Sequence, residues 1–272
     1  MKTLYLCGAG NVEGIRLAVV VNEAQKRWER IVILDDDPAK HGRTIIGVPV
    51  VGPFSMLSSA NRASSEVSNL VARTTQRRQD ALRKIEAYGL PFASLIHPGI
   101  DMTGVDIHGD VTVYQNVSFC AAAVVEAGCV VLTGAVVGHG CRMGRGCVVA
   151  PGAVINARVE LGEGVYLGTN ASILPDLKVG SWATVGANSA VIQNVPPGAT
   201  VMGVPAQVVI PGPTLKPDAI QPQPMSPLLQ TAPATDTPGS KLPAAVPRSE
   251  ALAKLRLAQQ KFITSRQTAQ AG

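Results

Sequence analysis

The chain has 272 residues, 46% of them hydrophobic and only 4% aromatic, with a net charge of +5. That length holds two modest domains and a tail. The charge is mild and no basic run carries interleaved aromatics, which argues against a nucleic-acid surface and suits an anionic small molecule. No apolar run reaches the ~18 residues that a membrane span requires. With so few aromatic residues, the core falls to Val, Ile, Leu and Ala.

Residues 3–7 (Thr-Leu-Tyr-Leu-Cys) predict a strand, so Met1–Cys7 does not read as a secretion leader. Gly8-Ala9-Gly10 predicts a tight turn opening a helix near 12–27. A second strand, Ile31–Leu34, runs into Asp35-Asp36-Asp37. A short helix is expected after Ser55, a strand over Val67–Ala72, a helix over Gln76–Tyr88 and a strand over Ala93–Ile96. Alternating strands and helices predict a small βαβ-type domain over residues 1–98.

A period of six takes over from there. Ile107, Val113, Phe119, Val125, Val131, Val137 and Met143 begin a series that continues through Val149, Ile155, Leu161, Leu167, Ile173, Val179 and Val185 to Val191. Four residues after each stands a small or slim one, among them Ala123, Cys129, Ala135, Cys141, Cys147, Ala153 and Ala171. Six fits neither a helix at 3.6 nor a strand at 2. It fits a coil of three flat faces, eighteen residues to the turn, with the large aliphatic pointing inward and the slim residue near a corner. Gly128, Gly134, Gly146, Gly152, Gly164, Asn170 and Asp176 then fall at turns that tolerate positive φ. These coils occupy 99–210 and end near Pro196-Pro197.

Residues 211–248 hold many prolines among Gln, Ser, Thr and Ala, the composition of a semi-extended linker without a core. Residues 249–272 predict an amphipathic tail, helical over 249–266, with Ser249 as N-cap. Leu252, Leu255, Phe262 and Ile263 share a face beside Lys254, Arg256, Lys261 and Arg266. Such a helix on a tether can dock into a partner protein's groove or lie on an anionic membrane surface.

Five cysteines form no CxxC pair. Cys129, Cys141 and Cys147 read as slim core residues, kept reduced in the cytoplasmic location expected of the chain. His139 lies deep in the coils, two residues past inward Val137, and so points outward near a corner between Gly138 and Gly140. A neutral imidazole there can take a proton from an attacking amine or hydroxyl; a plain surface histidine beside turn glycines remains the alternative. His108 and His139 differ by 31 residues and fall on different faces, which argues against a metal site. Gly8-x-Gly10-x-x-x-Gly14 is an imperfect nucleotide fingerprint that could bring backbone N–H groups to a phosphate, or be a purely structural turn. Asp35 and Asp36, at the end of the second strand, are placed to accept hydrogen bonds from a ribose or base.

Taken together, Leu6-Cys7-Gly8-Ala9-Gly10, Leu34-Asp35-Asp36-Asp37, Gly47-Val48-Pro49-Val50, Leu95-Ile96-His97-Pro98, Gly134-Ala135-Val136-Val137-Gly138-His139, Ala150-Pro151-Gly152-Ala153 and Gly203-Val204-Pro205-Ala206 resemble the sugar O- and N-acyltransferases of the NeuD/PglD type over about residues 3–207. The resemblance implies a Rossmann-like domain followed by a left-handed parallel β-helix, and an acetyl-CoA-dependent acetyltransferase acting on an amine or hydroxyl of a sugar or sugar nucleotide. It implies His139 as general base and Gly8, Gly10, Asp35 and Asp36 as sugar-nucleotide contacts. It implies a homotrimer whose pantetheine groove passes backbone near Ala157, Thr169 and Ala187. The chain departs from the family at Gly140, where an acid commonly raises the basicity of the histidine, and at Val148, where a second histidine commonly touches the cofactor. Asn11-Val12, Ala72-Arg73 and Gln207 depart as well. These gaps keep open a different reading: a weak or inactive trimeric scaffold recruiting partners through its tail.

Overall fold

The computed structural model describes residues 2–71 and 74–212. The linker from 213 onward, the tail over 249–272 with its helix expected at 249–266, and residues 72–73 lie outside the described residues.

β1 (Thr3–Cys7) is followed by α1 (Val12–Gln25), β2 (Arg30–Leu34), β3 (Thr44–Ile45), β4 (Val48–Gly52), β5 (Ser65–Asn69) and α2 (Thr75–Glu86). The sheet order is β3-β4-β2-β1-β5, all parallel but for the β3–β4 hairpin. Leu4, Leu6, Ile15 and Ile33 are fully buried between sheet and helix. Asn11 caps α1 by accepting the Gly14 amide at 2.9 Å, and Thr74 caps α2 by accepting the Arg77 amide at 3.2 Å. The helix expected after Ser55 is a 3-10 turn over Phe54–Ser59. β3 and β4 were not expected from the sequence: β3 is two residues long, and Pro49 interrupts a run that would otherwise read as a strand.

The strand expected over Ala93–Ile96 changes allegiance. β6 (Leu95–Ile96) pairs in parallel with Val111–Val113 and so belongs to the following domain. The reason is the open edge of the first coil, whose backbone groups need a partner.

From Asp106 the chain winds into a left-handed parallel β-helix of three faces. The first face carries Asp106–His108, Val124–Glu126, Arg142–Met143, Glu160–Leu161 and Lys178–Val179. The second carries Val111–Val113, Cys129–Val131, Val148–Val149, Tyr166–Leu167, Thr184–Val185 and Thr200–Met202. The third carries Ser118–Phe119, Val136–Val137, Val154–Ile155, Ser172–Ile173 and Ala190–Val191. Pairing advances by eighteen residues, as in Val136↔Val154 and Val154↔Ser172. The inward series is buried from Val125 to Val191; only Ile107 and Phe119, in the first coil, are half-buried. Cys129, Cys141 and Cys147 are fully buried free thiols that donate to the carbonyls of Gly144, Asn156 and Gly162. At the far end Gln207–Ile210 turns back antiparallel on Thr200–Met202 and closes the last edge.

The α/β domain packs on the second face, where outward Val130 and Val148 are buried with Ile15 and Leu17 of α1. Arg78 of α2 fastens this seam. Its Nε and Nη2 donate to the Gly128 carbonyl at 3.2 and 3.1 Å, and its Nη1 to the Asn69 carbonyl at 2.8 Å. Burial pulls the guanidinium below its ordinary range, and nearby Asp110 works against that shift. Arg78→Met should strand these carbonyls and cost about 2 kcal/mol or more, read as a fall in the urea midpoint at unchanged slope. Among the described residues, no helix is long and apolar enough to cross a membrane.

Candidate active site

The Gly8-Ala9-Gly10 turn at the end of β1 opens on a cleft of about 640 Å³ that reaches from the α/β domain to Leu132 of the β-helix. Gly8, Gly10 and Asp35 line it, with Lys40 and Arg77 supplying two cations. Asp36 does not line it. Its Oδ1 accepts the Phe54 amide at 2.9 Å and its Oδ2 accepts Lys84 Nζ at 2.5 Å, which ties β2 to α2 instead.

Asp35 is already engaged. Oδ2 accepts the Ala9 amide at 2.8 Å, Oδ1 accepts the Asp37 amide at 3.0 Å, and Lys40 Nζ donates to both oxygens at 3.0 Å. Burial acts to raise the carboxyl, but the Asp37 and Ala9 amides and Lys40 outweigh it and hold Asp35 below the usual carboxylate range. The turn is therefore clamped through its carboxylate while it is ionised. That clamp is present above the unfolded-state value and is lost as pH falls through the folded one. Asn11 adds a second fastening: its Nδ2 donates to Tyr114 Oη at 2.9 Å and so ties the turn to the β-helix.

His139 stands exposed at the corner where the third face passes into the first. The two glycines beside it serve the coil before they serve any ligand. A Cβ on Gly138 would sit 2.7 Å from the Asn156 carbonyl carbon of the next coil, so only glycine lets the coils stack there. Gly140 holds the left-handed corner, φ +65°. Arg158 Nη1 lies 3.1 Å from His139 Nε2, and Asp176 grips the same guanidinium through Nε at 2.5 Å and Nη2 at 2.8 Å.

Ala157 follows His139 by one coil on the same corner. Thr169 and Ala187 are exposed and stack in a second corner column, where the second face passes into the third. The third face joins the two corners, and its outward residues Ser118, Val136, Val154, Ser172 and Ala190 are all small. His108 is far from this arrangement in register. It lies on the first face between Asp106 (2.9 Å) and Glu126 (3.1 Å), and the Asp106 hydrogen bond pushes its imidazole up, with Glu126 adding to the effect.

Residues 122–157 match the family model described as bacterial transferase hexapeptide, six repeats. The acetyltransferase domain of PglB from Neisseria gonorrhoeae FA1090, solved with acetyl coenzyme A, superposes with a TM-score of 0.69 at 26% identity. The match covers 76% of this chain and 99% of that one. PerB from Caulobacter crescentus, solved with CoA and GDP-perosamine, gives 0.66 at 28% identity, over 76% of this chain and 97% of that one. The chain is an acyltransferase of the hexapeptide-repeat type. WeeI from Acinetobacter baumannii AYE shares the fold, at a TM-score of 0.67 and 23% identity over 77% of this chain and 100% of that one. No curated protein sequence matches the chain.

The departures of this acyltransferase now have positions. Val148 is packed beneath the α/β domain, 3% exposed, and not on the His139 corner. Asn11 is a helix cap and a domain tie. Gly140 leaves the corner open, and Arg158 passes it: a Cβ there would lie 3.4 Å from Arg158 Cγ. Lys40, Arg77 and Arg158 were not singled out from the sequence, and Asp176 was read only as a turn residue, not as a neighbour of His139. The eighteen-residue spacing from Gly140 to Arg158 to Asp176 was the one signal that could have raised the last two.

Proposed function

We propose that the acyltransferase moves an acetyl group from acetyl-CoA to an amine or hydroxyl of a sugar nucleotide, with His139 as general base. The observation that carries this reading is the exposed imidazole on the β-helix corner, one coil from Ala157, in a chain that also holds a cation-lined cleft. The CoA-bound relatives support the donor, and GDP-perosamine in one of them supports a nucleotide-linked acceptor.

The chemistry asks little of the protein beyond placement and one proton. The acceptor's nitrogen or oxygen attacks the thioester carbonyl while His139 takes the acceptor's proton. The carbon–sulfur bond then breaks, and the imidazolium returns the proton to the departing thiolate. The products are the acetylated sugar nucleotide and CoA thiol. In the proposed division of labour, residues 1–98 hold the nucleotide, with Gly8, Gly10, Lys40 and Arg77 as its contacts, while Asp35 keeps the turn in shape. Residues 99–210 hold the donor, with backbone near Ala157, Thr169 and Ala187 along the pantetheine arm.

The cleft and His139 occupy opposite ends of the third face, so within one chain they share no corner. A cyclic trimer brings one protomer's cleft to a neighbour's His139 and gives three equivalent sites. Exposed Leu174 (48%), Ile192 (50%) and Met202 (49%) near this face suit such an interface.

The test is turnover. The full chain, sized by sedimentation, is incubated with acetyl-CoA and UDP-, GDP- and CMP-linked amino sugars. Thiol release and the mass gain of one acetyl group are followed. Release with one acceptor class and a trimer mass are expected; no thiol release with any acceptor and no CoA binding by calorimetry would overturn the reading.

A further inference from the structure

The corner that carries His139 is completed by two side chains from the next two coils. We infer that Arg158 and Asp176 form a positioning pair that sets the tautomer of His139, a role that rests on the general-base reading above.

The hydrogen-bond inventory decides the tautomer. A guanidinium has donors only, so Arg158 Nη1 at 3.1 Å is satisfied only if His139 Nε2 accepts. The ring is then neutral, with its proton on Nδ1, and Nε2 is the basic nitrogen. The guanidinium is held in turn: Asp176 takes Nε and Nη2 as a fork, which leaves Nη1 for the histidine. All three nitrogens of the side chain are used.

The coil register makes this arrangement rather than chance proximity. Gly140, Arg158 and Asp176 stack in one column at eighteen-residue spacing, with left-handed φ of 65°, 57° and 62°. Their backbones therefore project alike from the corner. The Arg158 amide donates to the His139 carbonyl at 2.9 Å, and the Asp176 amide to the Ala157 carbonyl at 3.0 Å, so both are fixed to the neighbouring coil. The bare Gly140 leaves the path along which the Arg158 stem rises to the imidazole.

The Asp176 carboxyl is held below the usual carboxylate range, first through its hydrogen bonds with Arg158. The remaining titratable neighbours are the Cys120 and Cys141 thiols on the same side and, in the next column on the first face, Arg142, Glu160 and Lys178. Lys178 and Glu160 neutralise each other at 2.9 Å. The third face presents no charge in its outward column. Nε2 has one lone pair, so an acceptor's proton reaches it only once the Arg158 Nη1 bond is given up; the pair sets the tautomer of the resting ring.

The test compares Arg158→Met, Asp176→Asn and Arg158→Lys with the full chain by ¹⁵N ring spectra of His139 and by kcat/KM. In the unaltered chain the neutral ring should carry its proton on Nδ1, and Arg158→Met should lose that preference. Asp176→Asn, which loosens the fork, should weaken it, and Arg158→Lys, which keeps a donor without the fork, should retain part of it. A merely structural pair would lower the rates without moving the ring spectra. Unchanged ring spectra in Arg158→Met would overturn the inference. If the unaltered chain shows no acetyl transfer, the function proposal fails, while the ring spectra still decide this one. Unchanged thermal midpoints establish that the variants are folded.

Discussion

His139→Ala is expected to lower kcat/KM for acetyl transfer by about 10² to 10⁴-fold, the usual weight of one general base. The protein should otherwise be indifferent to the change. His139 is exposed, its backbone bond to the next coil does not involve the side chain, and Arg158, the side chain it hydrogen-bonds among the described residues, keeps its fork on Asp176. Stability should therefore stay within about 0.5 kcal/mol, as for surface positions without a structural partner. The combination is what makes the measurement informative: activity lost, with thermal midpoint, sedimentation and CoA affinity retained. A rate equal to that of the unaltered chain would remove the imidazole from the mechanism.

The largest stability effect is expected in the middle of the prism. Ile155 is fully buried, stacked between Val137 and Ile173 on the third face. Ile155→Ala should cost about 2–5 kcal/mol, the transfer of the lost methylenes plus the cavity they leave. The upper part of that range is favoured because the walls cannot close in. Coil spacing is held by the backbone ladder, with Val136 bonding Ala153 at 2.9 Å and Gly138 bonding Ile155 at 2.8 Å. Ile107→Ala, in the half-buried first coil, should cost less than half as much. Chemical denaturation of the two variants checks both statements. Equal losses would mean that the first coil is as tightly packed as the centre, contrary to its exposure.

Most of the β-helix was legible because its period is a steric code. A narrow prism admits one large aliphatic per face and a slim residue at the corner, so Val125 through Val191 and Cys129, Cys141 and Cys147 announce their burial one by one. The corner residues Asn170 and Asp176 were equally readable, since their positive φ follows from the same count. The α/β domain was readable for β1, α1 and β2, where apolar runs meet a glycine turn. It was less so for β3 and β4, whose pairing is decided by sheet edges. β6 was placed in the wrong sheet because two residues of apolar strand do not say which edge will take them.

The site was legible only where chemistry follows from register. His139 could be assigned an outward corner from its distance to Val137. Asp36 could not be separated from Asp35, because their neighbours Phe54 and Lys84, or Ala9 and Lys40, arrive from elsewhere in the chain. Gly138 makes room for the next coil, a contact that the order of residues does not show.

The order of residues alone suffices for the β-helix, its length, the face of each repeat and the outward place of His139. Local steric rules repeat every six residues and need no distant partner. That Asp35 clamps the glycine turn, that Val148 lies under a second domain, and that Arg158 and Asp176 stand on His139 is visible only in the folded chain. Those facts depend on groups that meet between neighbouring strands or coils, or across a domain seam. There, hydrogen-bond geometry selects among partners that the order of residues leaves equivalent.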